Sequence, residues 1–141
     1  MLAIVHITGV MMRYLNTLTV IFISIFSIEA SAASIKFPES HYQTIWCNSQ
    51  AGDIEVRLPD RTRVDCLTRT HAVEVDFAKK WYQAVGQSLY YSLQTGKKAG
   101  IVLIVREPKE RKYRIRLNST ILHFKLPIDT WIYEEMNERE P

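Results

Sequence analysis

Hydrophobic residues recur with two different periods between residues 38 and 133, which predicts a chain with both helices and strands. A four-residue interval separates Trp81, Val85, Leu89 and Leu93, as on one side of a helix. Residues 100–105 instead form a continuous, largely β-branched run, which is typical of a strand covered on both faces. The predicted helices cover residues 38–50, 78–95 and 109–124, and the predicted strands cover residues 54–58, 63–67, 70–77, 100–105 and 128–133.

The order of these elements predicts an α/β domain of the form αβββαβαβ, with a mixed central sheet flanked by helices. Residues 59–62 (PDRT) form a turn between two short strands, which predicts an antiparallel hairpin. The helix at 78–95 connects two strands as a crossover, and such a connection joins parallel strands. A fold class does not specify a function, so the chemistry has to come from the polar residues.

A short apolar segment at residues 15–28 (LNTLTVIFISIFSI) follows Arg13 and precedes the small residues Ala30 and Ala32. This layout is typical of a secretory signal peptide that is cleaved after Ala32. The segment is shorter than the roughly 20 apolar residues that cross a bilayer; the alternative is an uncleaved N-terminal anchor. We therefore expect residues 1–32 to be removed and the protein to be exported, periplasmic or extracellular, without stable insertion in the membrane.

Residues 33–141 then form a single domain, with its core at about residues 38–133. The chain is 47% hydrophobic and 23% charged, which is typical of a globular domain. Its net charge of +3 does not change when residues 1–32 are removed, because they contain one arginine and one glutamate. This mild charge does not by itself indicate nucleic acid. Met11 and Met12 are alternative start positions, because a signal peptide does not need residues 1–10.

The chain contains two cysteines, Cys47 and Cys66. In an exported domain of this size, two cysteines form a disulfide more often than a catalytic thiol or a metal site. Such a disulfide connects the first predicted helix to a strand. The alternative is a pair of buried free thiols.

Two carboxylates lie inside predicted strands: Asp65 between Val64 and Cys66, and Glu74 between Val73 and Val75. Carboxylates in apolar strands are costly unless they meet a cation or hydrogen-bond donors.

The helix that follows contributes polar residues with related spacing. Lys80 and Gln87 are seven residues apart, which is nearly two helical turns, and Tyr91 lies one turn further. The sequence therefore predicts that two carboxylates, an ammonium group, an amide and a phenol face one place, where oxygen ligands favour a hard divalent ion.

At these residues the chain resembles the PD-(D/E)XK nuclease superfamily, which has the restriction-endonuclease-like fold. The resemblance covers about residues 55–104 and implies that Asp65 and Glu74 are the metal ligands. The family pattern places a lysine two residues after the glutamate, and this chain has Asp76 there. Lys80 is then expected to supply the ammonium group from the helix.

Within the superfamily, the chain is similar to the RecB-type branch, which has a Gln-x-x-(x)-Tyr element. Gln87 corresponds to the glutamine, and either Tyr90 or Tyr91 corresponds to the tyrosine and contacts the substrate. The resemblance implies an exported Mg²⁺- or Mn²⁺-dependent nuclease that hydrolyses phosphodiester bonds of nucleic acid, with Asp65, Glu74, Lys80 and Gln87 as catalytic residues.

Two alternatives to a nuclease remain open at the level of sequence. An inactive nuclease-like domain would act as a secreted module that binds nucleic acid or protein, and a structural envelope domain would have no site at all. Asp65 and Glu74 would then accept ordinary hydrogen bonds or form ion pairs on a solvated face. Residues 106–116 (REPKERKYRIR) contain six basic residues, which either contact phosphates or form the solvated face of a helix.

Overall fold

The computed structural model describes residues 36–135. The predicted signal peptide at residues 1–32 lies outside this part of the chain. The helices are α1 (Glu39–Ser49), α2 (Trp81–Thr95) and α3 (Arg111–Phe124), and the strands are β1 (Asp53–Arg57), β2 (Arg63–Leu67), β3 (His71–Phe77), β4 (Lys98–Val105) and β5 (Ile128–Glu134). The predicted α/β class and the order αβββαβαβ are confirmed. Among residues 36–135, no helix has both the length and the hydrophobicity needed to cross a membrane.

The five strands form one mixed sheet in the order β1-β2-β3-β4-β5. β1, β2 and β3 pair antiparallel, whereas β3, β4 and β5 pair parallel. α2 and α3 connect the parallel strands, as crossovers must. The predicted mixed sheet is therefore confirmed.

Two apolar layers cover the sheet. On one face, α2 and α3 pack on Ile101 and Leu103 of β4, and Leu117 of α3 is fully buried there. On the other face, Tyr42 of α1 packs with Val102 and other strand residues. Residues of β4 from Ala99 to Val105 are buried, because alternate side chains enter opposite layers. This arrangement explains the continuous apolar run in the sequence.

The predicted disulfide between Cys47 and Cys66 is present and joins α1 to β2. Both cysteines are fully buried. Gly52 lies directly over the bridge, since a Cβ atom added there would be 2.7 Å from the Cys66 Sγ. The alternative of two free thiols is wrong in this structure.

The predicted helix at 78–95 differs in detail from the observed one. Its first residues, Ala78–Lys80, form a 3₁₀ turn, and the α-helix begins at Trp81. Leu93 is 78% exposed, although the four-residue spacing placed it on the core side. Each four-residue step advances about 40° beyond a full turn, so three steps rotate Leu93 out of the core.

Candidate functional site

A cavity of about 380 Å³ opens where regular pairing between β2 and β3 stops. The two strands pair at Cys66 with Val73 and at Leu67 with Ala72. Beyond these pairs, the Asp65 Oδ2 accepts a 2.8 Å hydrogen bond from the Val75 N–H. The carboxylate thus replaces a strand partner.

Four carboxylates line this cavity: Glu39, Asp65, Glu74 and Asp76. Its other lining residues are Thr62, Arg63, Lys80, Gln83, Gln87 and Tyr91. The four predicted catalytic residues, Asp65, Glu74, Lys80 and Gln87, are therefore brought together, although they come from β2, β3, a 3₁₀ turn and α2.

Glu74 and Asp76 alternate along β3 and point to the same side of the sheet. They are only 4% and 3% exposed, respectively. The Glu74 Oε2 is buried and has no hydrogen-bond partner among residues 36–135, which is uncommon for a polar atom in a native protein. A buried acceptor without a donor costs free energy unless a proton or a cation meets it.

Burial shifts the pKa values of Glu74 and Asp65 upward. Loss of solvation raises the pKa of Glu74 to about 9, and the negative charges of Asp65 and Asp76 add to this effect. Burial also raises the pKa of Asp65 to about 6, although the hydrogen bond from the Val75 N–H opposes the increase. At neutral pH, Glu74 is therefore protonated and uncharged when no metal ion is bound.

The Lys80 ammonium group reaches the acidic cluster from the 3₁₀ turn. Its Nζ lies 3.0 Å from the Asp76 Oδ1 and 3.2 Å from the Glu39 Oε2. The hydrogen bond to Asp76 is the main reason that the pKa of Lys80 is raised, and the hydrogen bond to Glu39 adds to the increase. Burial raises the pKa of Glu39 to about 7, and a hydrogen bond with Asp76 contributes. Lys80 thus interacts with Asp76, and Asp76 is the residue at the position where the PD-(D/E)XK pattern has a lysine.

The structure distinguishes between the two candidate tyrosines. Tyr91 is 6% exposed and lines the cavity, and its hydroxyl accepts a 3.3 Å hydrogen bond from the Gln87 Nε2. Tyr90 is 38% exposed, and its hydroxyl donates to the Asp60 carboxylate in the β1–β2 turn. Tyr91 is therefore the tyrosine placed beside the carboxylates, and Tyr90 anchors the turn.

Two polar residues of α1, Glu39 and Gln43, belong to the site although their sequence pattern did not predict it. Glu39 lines the cavity, and Gln43 lies behind it with 4% exposure. The Gln43 Nε2 donates to the Asp65 backbone carbonyl and to the Glu55 Oε1, both at 2.8 Å. Residues 39, 43 and 47 share one face of α1. A buried Cys47 therefore indicates that Glu39 and Gln43 also face the sheet.

Gln43 donates the hydrogen bond to the Asp65 carbonyl that a regular β1 backbone would otherwise donate. Glu55 has a φ of +58°, in the left-handed region that residues other than glycine rarely adopt. This interrupts the regular strand geometry next to Asp65, whose carbonyl instead accepts the Gln43 amide. Glu55 also forms an ion pair with Arg63. Gln43, Glu55 and Arg63 thus fix the backbone that carries Asp65.

The chain has no match among protein-family models, curated proteins or solved structures. Within residues 36–135, no three His, Cys, Asp or Glu side chains are already arranged to hold a metal ion. The function of the cavity therefore has to be inferred from its own residues.

Proposed function

We propose that this protein is an exported, metal-dependent nuclease of the PD-(D/E)XK superfamily, with a restriction-endonuclease-like fold, that hydrolyses phosphodiester bonds of nucleic acid. The observation that carries the proposal is the meeting of Asp65, Glu74, Lys80, Gln87 and Tyr91 in one cavity. The sequence alone predicts that these residues share a site. Residues of one functional site must lie close together, whereas residues that form separate ion pairs on the surface need not.

The cavity fits a divalent cation in its donor chemistry. Carboxylate oxygens are the ligands that Mg²⁺ and Mn²⁺ prefer, and the Glu74 Oε2 is a buried acceptor to which none of the described residues donates. Asp65 and Glu74 would hold the ion, with Glu39 and Asp76 nearby. Such an ion polarises a phosphate and lowers the pKa of a bound water molecule.

The remaining residues would act on the substrate and the attacking water. Lys80 carries the ammonium group that would stabilise charge on the phosphate, and Asp76 and Glu39 hold its Nζ at the cavity. Gln87 and Tyr91 are hydrogen-bonded to each other and would orient the substrate.

The disulfide supports the export part of the proposal. Disulfides persist in oxidising compartments such as the periplasm and the extracellular space, and they are rare in the cytosol. The Cys47–Cys66 bridge is fully buried between α1 and β2. It therefore belongs to the core of the domain, as expected for a protein that folds after export.

One observation favours a second candidate function, an inactive nuclease-like domain that binds nucleic acid or protein. Asp76 occupies the position of the family lysine, and Lys80 is already paired with both Asp76 and Glu39. An ammonium group neutralised in this way is less available to a phosphate. The enzyme and the binding module therefore differ in what happens at Lys80.

The test is cleavage of labelled single- and double-stranded DNA and RNA by the disulfide-bonded protein in Mg²⁺, Mn²⁺ or EDTA. The variants are Asp65→Asn, Glu74→Gln and Lys80→Met, purified in the same way as the wild type. The matched control is Glu107→Gln, which removes a carboxylate that pairs with Lys109 outside the cavity.

For a nuclease we expect cleavage that requires metal, falls at least 100-fold in the three variants and persists in the control. Binding without cleavage, unchanged in Lys80→Met, would identify the binding module instead. A protein that neither cleaves nor binds nucleic acid, and that does not bind Mn²⁺, would contradict the proposed nuclease.

A further inference from the structure

Three arginines lie together at the end of the β1–β2 hairpin. Arg57 and Arg63 are directly opposite each other on the two strands, and Arg61 is in the turn between them. All three are exposed. Like charges directly opposite on paired strands are destabilising, so this arrangement works against the stability of the hairpin.

The conformation of Arg61 adds to this cost. Its φ is +74°, in the left-handed region, where a glycine would be less strained. A hairpin selected for stability alone would favour glycine at this position and an uncharged pair across the strands. The stability of the hairpin therefore does not explain why arginine occupies positions 57 and 61.

Within residues 36–135, neither Arg57 nor Arg61 forms an ion pair. Arg63 pairs with Glu55. The carboxylate of Asp60 accepts hydrogen bonds from the Thr62 N–H, the Thr62 hydroxyl and the Tyr90 hydroxyl. Two guanidinium groups therefore remain for an external anion.

The hairpin end is a fixed wall of the cavity. Thr62 and Arg63 line the cavity directly. The turn is closed by a 2.9 Å hydrogen bond from the Leu58 N–H to the Thr62 carbonyl, and the bond from Tyr90 to Asp60 ties it to α2. Arg63 thus lies at the cavity, and Arg57 and Arg61 belong to the same hairpin end, which is held by hydrogen bonds that do not use their side chains.

The other basic surface, on α3, has a different environment. Arg111 and Arg114 lie 3.8 and 3.7 Å from the carboxylate of Glu134, and no residue of α3 lines the cavity. The basic run at residues 106–116 is therefore separate from the site. This contrast selects the hairpin as the cationic surface that continues from the cavity.

We propose that the hairpin arginines Arg57 and Arg61 bind the phosphate backbone of a polynucleotide next to the phosphate that enters the cavity. Guanidinium groups bind phosphate oxygens in a bidentate manner, which makes arginine well suited to this contact. The ligand is thus a nucleic acid chain of several nucleotides, and its cleavage rests on the proposed function.

The experiment measures fluorescence anisotropy of labelled single- and double-stranded DNA and RNA, 20 nucleotides long, with the full protein in EDTA. The test variant is Arg57→Gln/Arg61→Gln, and the matched control is Arg114→Gln/Arg116→Gln, which removes two exposed guanidinium groups from α3. All affinities are measured at several salt concentrations, and circular dichroism checks that each variant is folded.

The comparison uses the DNA or RNA that the wild type binds most tightly. We expect the hairpin variant to bind it at least tenfold more weakly than the control variant does. The slope of log K against log salt should decrease by about one unit for each arginine removed. Unlabelled DNA should displace the label at concentrations where polyglutamate of equal charge does not, because the contact is to phosphate rather than to charge alone.

Equal losses in the hairpin and control variants would overturn the inference, and so would a wild type that binds no nucleic acid. Displacement by polyglutamate as effective as that by DNA would also contradict it. The outcome is independent of cleavage. Selective binding without cleavage would support the arginine surface and contradict the nuclease function. Cleavage with equal losses of affinity in the hairpin and control variants would support the nuclease function and contradict the arginine surface.

Discussion

Glu74 occupies a place in the folded protein that disfavours its negative charge. Its side chain is 4% exposed, one of its oxygens has no donor in the part of the chain that the structure describes, and its pKa is raised to about 9 by burial. The unfolded chain ionises the same group near 4.5. Between these two values the folded protein holds a proton that the unfolded chain has released.

This difference predicts that stability decreases as the pH rises. Asp65 and Glu39 contribute up to their pKa values of about 6 and 7, so between pH 7 and 9 the decrease comes mainly from Glu74. The free energy of unfolding should fall by up to about 1.4 kcal/mol per pH unit in this range. Urea unfolding in EDTA at pH 7, 8 and 9 measures it.

Glu74→Gln should remove most of this dependence, because glutamine has the shape of the protonated glutamate but does not titrate. Glu107→Gln is the control, since a hydrogen bond from Lys109 lowers the pKa of Glu107 and the group is ionised throughout the range. A slope above pH 7 that is the same in the wild type and in Glu74→Gln would contradict this account of the cavity.

At the scale of elements, the packing of α1 on β2 depends on a small region around the disulfide. The bridge closes a chain segment with a sequence separation of 19, and a loop of this size contributes about 3 kcal/mol to stability. α1 also carries Glu39 and Gln43. The disulfide therefore fixes two polar residues of the site as well as the core between α1 and the sheet.

We expect Gly52→Ala to lower the free energy of unfolding by about 1–3 kcal/mol, because the added methyl group meets both sulfur atoms. The matched control is Gly86→Ala in α2, where nothing lies within 4 Å of the added atom. Alanine is the better helix former, so this change should stabilise by about 0.5–1 kcal/mol. Urea unfolding of the oxidised proteins measures both effects.

The same pair of variants in a Cys47→Ala/Cys66→Ala background forms a double-mutant cycle. The cost of Gly52→Ala should become smaller there, because the sulfur atoms that it meets are gone. The effect of Gly86→Ala should stay the same. An unchanged cost of Gly52→Ala would show that its effect does not come from contact with the disulfide.

The element order was predictable because each segment has a distinct period and turn residues separate several of the segments. The mixed pairing followed from the turn at residues 59–62 and from the helical crossover. Element ends were less accurate: β4 begins at Lys98 rather than Gly100, and the helix at 78–95 begins with a 3₁₀ turn. Such ends depend on tertiary contacts that a local pattern does not contain.

The site was predictable where strand or helix spacing determined which side chains meet. The choice between Tyr90 and Tyr91 was not, because adjacent helical residues differ by 100° and the sheet determines which one faces the cavity. Glu39 and Gln43 were missed for a related reason. Their place in the site depends on how α1 lies on the sheet, which is a long-range property of the chain.

At the scale of the whole molecule, the cavity collects four carboxylates in a protein whose formal net charge is +3. Glu74 and Asp76 are buried, whereas three arginines are exposed at the adjacent hairpin. The acidic groups thus line the site, and cationic groups lie at its edge. A cation is therefore favoured inside and an anion outside.

If the cavity binds Mn²⁺, binding should release about one proton per ion at pH 7, because Glu74 must ionise to become a ligand. Calorimetric titration in two buffers with different ionisation enthalpies measures this number. The affinity should increase with pH between 7 and 9, and Glu74→Gln should abolish both the proton release and this increase. Binding of Mn²⁺ without proton release would contradict the assignment of Glu74 as a ligand.

The hydrogen bond from the Val75 N–H to Asp65 gives the protein a built-in spectroscopic reporter. In an NMR spectrum, the chemical shift of an amide depends on the charge of its acceptor, so the Val75 resonance follows the state of this carboxylate. Protonation, a bound cation or a nearby phosphate would each move one known signal. The occupancy of the cavity can thus be observed in the unmodified protein, without a label and without turnover.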